Sequence, residues 1–153
     1  MIGLEIRALQ ANDSQMLSDM LLASRKEYIL HFTPFAFDLD TISKLLSDLK
    51  KDVVYGLFVH EKLAGFHMLR GWDEGFTTPV FGVFISEEFK QKGLAKISMF
   101  HAISFCKLNK VDKLMLKVAK DNLPAKTFYE SVGFKETGID PNNQNLIYHK
   151  NLV

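Results

Sequence analysis

Phe84-Ile85-Ser86-Glu87-Glu88-Phe89-Lys90-Gln91-Lys92-Gly93-Leu94-Ala95-Lys96 carries the chain from an apolar strand into a helix through a short basic turn. Its first residues close the run Val80-Phe81-Gly82-Val83-Phe84-Ile85, which is apolar throughout, as a central strand covered on both faces should be. Its last residues put Gly93-Leu94-Ala95 in the first turn of the helix. Small residues there let a ligand approach the main chain. The free N–H groups, the positive end of the helix dipole and Lys90, Lys92 and Lys96 together suit an anion such as a pyrophosphate. A glycine between strand and helix also serves as a simple turn, so this stretch decides the fold only with a second one beside it.

The second stretch follows about thirty residues on. Leu114-Met115-Leu116-Lys117-Val118 reads as a strand. Behind it come Asn122, Ala125, Phe128, Tyr129, Glu130, Gly133 and Phe134, with Pro124 suited to the first turn of a short helix ending near Ser131. The two stretches together resemble the paired core motifs of the GNAT family of N-acetyltransferases, over roughly residues 80 to 135 and in the family's order and spacing. Lys90, Gly93 and Ala95 stand at the key places of the first motif, and Asn122 through Phe134 match the second. The first motif usually opens with Gln or Arg. Lys90 keeps the charge and loses the planar fork.

The resemblance implies a single-domain α/β, GNAT-like fold over residues 1–153: a mixed, mostly antiparallel sheet of about seven strands, helices on both faces and a splayed parallel pair in the middle. It implies acetyl-CoA as co-substrate, held by Val83, Phe84 and Ile85, by the turn Lys90-Gln91-Lys92-Gly93-Leu94-Ala95-Lys96, and by Asn122 and Phe128. A main-chain N–H near Ile85 would stabilise the oxyanion that forms on amine attack. Tyr129 would donate to the departing thiolate, the alternative being that it only packs the short helix on the sheet. The acceptor site would lie beside the loop joining the first two helices, with His31, Phe35, Trp72 and Asp73 on it. An ammonium must lose a proton before it attacks. Glu74 ranks first as the base, ahead of Asp73, His67 and His31, each of which also has an ordinary structural reading.

The 153 residues fit one domain, 47% hydrophobic and 24% charged, the profile of a soluble globular chain. A formal net charge of +1 gives no reason to expect nucleic acid or an anionic membrane as partner, so any positive field is local to the lysines before the helix. Cys106 is the single cysteine, which excludes an intramolecular disulfide and a multi-cysteine metal site, and no metal is expected. Set among Ile103, Phe105 and Leu108, it reads as inert packing. The start Met1-Ile2-Gly3-Leu4-Glu5-Ile6-Arg7 lacks signal-peptide character and no stretch approaches a membrane span, so a cytoplasmic protein is expected.

Along the chain, Leu4–Leu9 reads as the first strand, and Asn12-Asp13-Ser14 starts a helix whose apolar stripe is Met16, Leu17, Met20 and Leu21, fading near Tyr28. His31-Phe32-Thr33-Pro34-Phe35-Ala36-Phe37-Asp38 is either a packed interhelix loop or a wall of the acceptor pocket. A second helix, capped by Asp40 or Thr41, buries Ile42, Leu45, Leu46 and Leu49. Val53–Val59 and Leu63–Leu69 form a hairpin about His60-Glu61-Lys62, with Leu63, Gly65, His67 and Leu69 on one face. A glycine-bracketed loop, Gly71–Pro79, then holds the single tryptophan and two adjacent carboxylates. The Gly93 helix carries its stripe on Leu94, Ile97, Phe100, His101, Ile103, Phe105 and Leu108, and strands near 134–139 and 145–152 end the chain.

Two functions follow from the residues and the resemblance. One is transfer of acetyl from acetyl-CoA to a small primary amine, with a nucleotide-linked amino sugar of bacterial surface-polysaccharide synthesis as the acceptor that Arg70–Gly75 and His31–Phe35 bring to mind. A protein N-terminus and an aminoglycoside are the rival acceptors. The other is a non-catalytic acetyl-CoA-binding sensor or partner module. A homodimer is the assembly allowed for.

Overall fold

The computed structural model describes Met1, residues 3–32 and residues 34–153; Ile2, and Thr33 of the expected interhelix loop, lie outside the described residues. Strands Leu4–Ala8 (β1), Val53–Val59 (β2), Lys62–Arg70 (β3), Val80–Ile85 (β4), Lys113–Val118 (β5), Lys135–Ile139 (β6) and Leu146–Asn151 (β7) form one sheet in the order β1-β2-β3-β4-β5-β7-β6. Every pairing is antiparallel except that of β4 with β5. This is the open, mixed α/β sheet expected. Among the described residues five helices accompany it: Ser14–Leu22 (α1), Lys26–Ile29 (α2), Leu39–Ser47 (α3), Leu94–Leu108 (α4) and Leu123–Ser131 (α5). No helix among the described residues is long and apolar enough to cross a membrane.

Each face of the sheet has its own core. On one, Met99, Ala102, Ile103 and Cys106 of α4 and the inner side of α5 pack on Phe81, Leu114, Leu116 and Tyr148. On the other, Leu17 and Leu21 of α1 and Ile42 and Leu46 of α3 pack on Val54, Phe66, Met68 and Phe84. The second core contains no residue of β5, β6 or β7. The helices α1 and α3 therefore cover one half of their face, and the other half is open.

Several local expectations are corrected. The first helix does not run to Tyr28: it stops at Leu22, Arg25 turns extended (ψ 144°), and α2 starts afresh. The cap of α3 is Asp38, whose carboxylate accepts from Thr41 N at 3.0 Å, rather than Asp40 or Thr41. In the hairpin, Phe58 pairs with Leu63 but Leu57 pairs with Gly65, so a bulge at Ala64 turns Leu63 onto the face of Phe66 and Met68. Along α4 the buried residues are Leu94, Ser98, Met99, Ala102, Ile103 and Cys106, while Ile97, Phe100 and Leu108 are exposed. That helix is apolar nearly all round, so periodicity alone could not choose its buried side. Cys106 is buried as expected, and burial pushes its thiol up to about 11.

Candidate active site

The parallel pair β4 and β5 is joined at one place, Val80 opposite Met115, with Met115 N donating to Pro79 O at 3.0 Å. Beyond it the strands part. Ser86 N donates to Ala64 O at 2.8 Å, so the main chain of residues 84 and 86 faces β3. Strand alternation then turns the main chain of Val83 and Ile85 the other way, into the gap beside β5. Phe84 does not open onto this gap: its carbonyl points to β3 at Gly65, and its ring is buried in the α1/α3 core. Val83 and Ile85, of the same expected trio, are the ones the strand presents.

At the mouth of the gap the chain makes a short 3-10 turn, Glu87–Phe89, and passes through Gln91 (φ 59°) and Gly93 (φ 82°) into α4. Gly93 is the N-cap of α4 rather than part of its first turn. Its left-handed conformation favours glycine, and a Cβ built on it would meet nothing within 4 Å. Leu94 fixes the start of the helix by packing on Leu57 and Ala64. The first N–H groups of α4 thus face open space. Lys92 and Lys96 are exposed beside it, and Lys90 lies 3.5 Å from Glu87.

On the other lip of the gap, Asn122 caps α5 by accepting from Ala125 N at 3.4 Å. The side-chain oxygen is committed to the helix, and the amide group is left to donate. Tyr129 is half-buried, with its ring 5.4 Å from Phe128 and 6.0 Å from Phe134. It belongs with Val83 to the margin of the same core. Among the described residues its hydroxyl has no hydrogen-bond partner, and burial pushes its pKa up to about 12, so at neutral pH it is an O–H donor.

A strap crosses the mouth. Arg25 pairs with Glu87 at one end (Nε–Oε1 2.8 Å), and His31 lies 3.7 Å from Asp121 at the other. Between them Tyr28 Oη donates to Ile85 O at 2.6 Å. Phe32 seats the following loop on Phe66 and Phe84, at ring distances of 5.6 and 5.2 Å. Phe35 continues it, edge-on to Phe32 and under the guanidinium of Arg70 at 5.8 Å. The loop is therefore both a packed loop and a border of the gap.

Trp72, Asp73 and Glu74 are not brought to the gap. They form a 3-10 turn before the first residue of β4, and Trp72 packs tilted against Phe105 at 6.3 Å. Phe105 is eleven residues, roughly 16 Å, along α4 from Leu94. The Asp73 carboxylate accepts from Lys50 N (3.1 Å), Lys51 N (2.7 Å) and Asp52 N (3.3 Å), which holds its pKa low and spends it on a loop. Asp52 returns two such bonds, from Gly71 N and Asp73 N. Glu74 is exposed. Trp72 also lines a cavity of about 560 Å³ with Thr77, Thr78, Lys110, Asp112 and Lys113, at the end of the sheet away from the gap. His67 is fully buried beneath α4, its Nε2 3.1 Å from His101 Nδ1.

What the sequence reading missed lies on the open half of the sheet. The register sets Arg70, Val80, Met115, His149 and Lys135 in one row across β3, β4, β5, β7 and β6. Thr137 Oγ1 lies 3.3 Å from Ile147 O and 2.6 Å from His149 Nδ1. With the hydroxyl proton given to Ile147 O, Oγ1 accepts from Nδ1–H, and Nε2 of His149 keeps its lone pair. Burial, then Lys113, lowers the His149 pKa from 6.5. The one signal in the sequence was alternation in the last strand, which puts Ile147 and His149 on one face and Tyr148 on the other.

The sequence profile of the acetyltransferase (GNAT) family matches residues 20–134. Among solved structures, the PaiA N-acetyltransferase of Thermoplasma acidophilum in complex with coenzyme A is 20% identical, over 97% of this chain and 99% of its own, with a TM-score of 0.78. A domain from Methanocaldococcus jannaschii is 18% identical over 99% of both chains, with a TM-score of 0.81. The ribosomal-protein-S18-alanine N-acetyltransferase of Escherichia coli is 16% identical over 98% of this chain and 94% of its own, with a TM-score of 0.76. At these identities the likeness is one of fold. No curated protein matches this sequence.

Proposed function

The chain belongs to the acetyltransferase (GNAT) family and is an acetyl-CoA-dependent N-acetyltransferase, and we propose that its acceptor is the primary amine of a small molecule, within that class a nucleotide-linked amino sugar. The observation that carries this reading is the gap itself: the main chain of Val83 and Ile85 turns toward a space that β5 does not fill, with a glycine-capped helix at its mouth. The residues fit acetyl-CoA. The open space at Gly93 and the first N–H groups of α4 suit its pyrophosphate, with Lys92 and Lys96 beside them. Val83 and Ile85 offer main-chain partners to the amides of its arm, and the Asn122 amide and Phe128 would border that arm.

When bound, acetyl-CoA supplies an acyl thioester; the chain supplies position and proton handling. Holding thioester and amine together in a space closed by the strap of residues 25–31 removes most of the entropic barrier. Tyr129, a neutral phenol, holds the proton that a departing thiolate needs. Glu74 stands at the other end of β4, so we do not propose it as the base. We assign that role to His149, whose Nε2 keeps its lone pair in the tautomer that donates Nδ1–H to Thr137 Oγ1. The imidazole stands in the row of Val80, two strand spacings, roughly 10 Å, across from β4 and about as far along the strand from Val83, so in this assignment the amine's proton reaches it through a chain of waters.

A panel of amines with purified protein and acetyl-CoA, read by thiol release, tests the reading. Amino sugars free, phosphorylated and nucleotide-linked, aminoglycosides, polyamines and N-terminal peptides belong in it. Turnover of a small-molecule amine supports it; turnover of the peptides alone overturns the acceptor class. With a good acceptor, the rate should fall on the acid side, at a pH below the ordinary histidine value because burial lowers the His149 pKa, and His149→Gln should lower the plateau and remove that limb. An unchanged profile would clear His149.

A further inference from the structure

We propose that the open face of β4, β5 and β7 takes an acceptor bearing an anionic group besides its amine, and that Arg70 receives the anion. This rests on the acetyltransferase reading of the gap.

Charge carries the argument. Arg70 heads the cross-sheet row and is half-buried, its guanidinium set over the Phe35 ring at 5.8 Å. Among the described residues it has no carboxylate partner. The same row ends in Lys135, and Lys113 and Lys117 flank Met115 on β5. The carboxylate among them is Asp140, and Lys117 takes it at 2.9 Å. A polycationic amine would need carboxylates here to replace its hydration, and the face offers it cations instead. An anion meets the reverse: a planar guanidinium with its donors free and its flat side held by an aromatic ring.

Spacing agrees. The row of Arg70 crosses β4 at Val80, and the gap opens at Val83, three residues or roughly 10 Å further along the strand. An amine at Val83 and an anion at Arg70 are thus separated by about the length of one sugar ring with its phosphate.

The test compares glucosamine, glucosamine 6-phosphate and spermidine as acceptors for the parent and for Arg70→Gln. The parent should use the phosphorylated sugar at least tenfold better in kcat/KM than the other two. Arg70→Gln should raise the KM for glucosamine 6-phosphate at least tenfold, leave the KM for acetyl-CoA and for free glucosamine within twofold, and melt within a few degrees of the parent. Arg70→Lys should recover part of the loss. Preference for spermidine, or a variant that shifts all acceptors alike, would overturn the proposal. If none of the three is acetylated, calorimetric titration of glucosamine 6-phosphate into protein saturated with coenzyme A separates the two ideas. Binding that Arg70→Gln abolishes keeps the anion site and rejects the acceptor reading. Absence of binding rejects the site, as it must if sedimentation shows a second copy covering this face.

Discussion

The Tyr28 hydroxyl donates to the Ile85 carbonyl at 2.6 Å, tying the strap over the gap to the strand that forms its floor. That carbonyl belongs to one of the two residues whose main chain opens on the gap. The phenol therefore stands where a ligand amide would donate. Burial raises the Tyr28 pKa, so it stays a donor through the neutral range.

Tyr28→Phe removes the donor and keeps the ring that packs edge-on to Phe84 at 6.0 Å. Without ligand it should be less stable by about 1 kcal/mol, the ordinary net value of one hydrogen bond. Acetyl-CoA, no longer competing for the Ile85 carbonyl, should bind two- to fivefold tighter by calorimetry. Weaker binding to the folded variant would mean that Tyr28 keeps its bond in the complex.

Gly93 offers a cleaner test of the pyrophosphate site. Valine there would confuse strain with obstruction, because φ is 82°. Asparagine tolerates the left-handed region far better than other side chains. Since a Cβ at this place meets nothing, Gly93→Asn should fold with little loss of stability yet raise the acetyl-CoA dissociation constant at least tenfold, about 1.4 kcal/mol. Unchanged affinity would move the site elsewhere.

His67, buried beside the half-buried His101, sets an acid limit on stability. His67 is packed by His101 from α4, Tyr55 from β2 and Phe81 from β4, and no charged partner touches it. Burial first, and His101 second, lower its pKa from 6.5 to about 3. The unfolded chain thus binds a proton that the folded one refuses between those values, so stability is full above pH 6.5 and declines as pH falls. From pH 6.5 to 5 the decline should be about 2 kcal/mol. Urea unfolding at several pH values should show this slope, and His67→Leu should lose most of it. An equally steep variant would point to other groups.

Legibility in the sequence followed the distance over which each contact closes. The strand–turn–helix at Gly93 and the Asn122–Phe134 segment are local, and their residues could be read in place. Trp72, Asp73 and Glu74 misled because β4 carries the chain from one end of the sheet to the other, so neighbours in sequence of Val80 and of Ile85 lie far apart. The partners of Asp73 are 21 to 23 residues back, in a loop with no signature. His149 and Arg70 share a face only through three successive strand registers. The bulge at Ala64 shows how little it takes to undo such a reading, since one extra residue reverses a face.

Tyr129 is the last test, and it concerns the departing thiolate. Tyr129→Phe removes one oxygen and keeps the ring between Phe128 and Phe134. The hydroxyl has no partner among the described residues, so stability and acetyl-CoA affinity should stay near those of the parent. Loss of a positioned general acid typically costs about 10²–10⁴-fold in rate, and here it should fall on kcat with KM little changed. With its pKa near 12 the phenol contributes no pH limb in the neutral range, so the profile should keep its shape while its height drops. An acyl donor whose thiol has a lower pKa leaves with less help and should recover part of the loss. If Tyr129→Phe turns over within about twofold of the parent while chemistry limits the rate, the proton comes from water, and the ring's work is to hold α5 on the sheet.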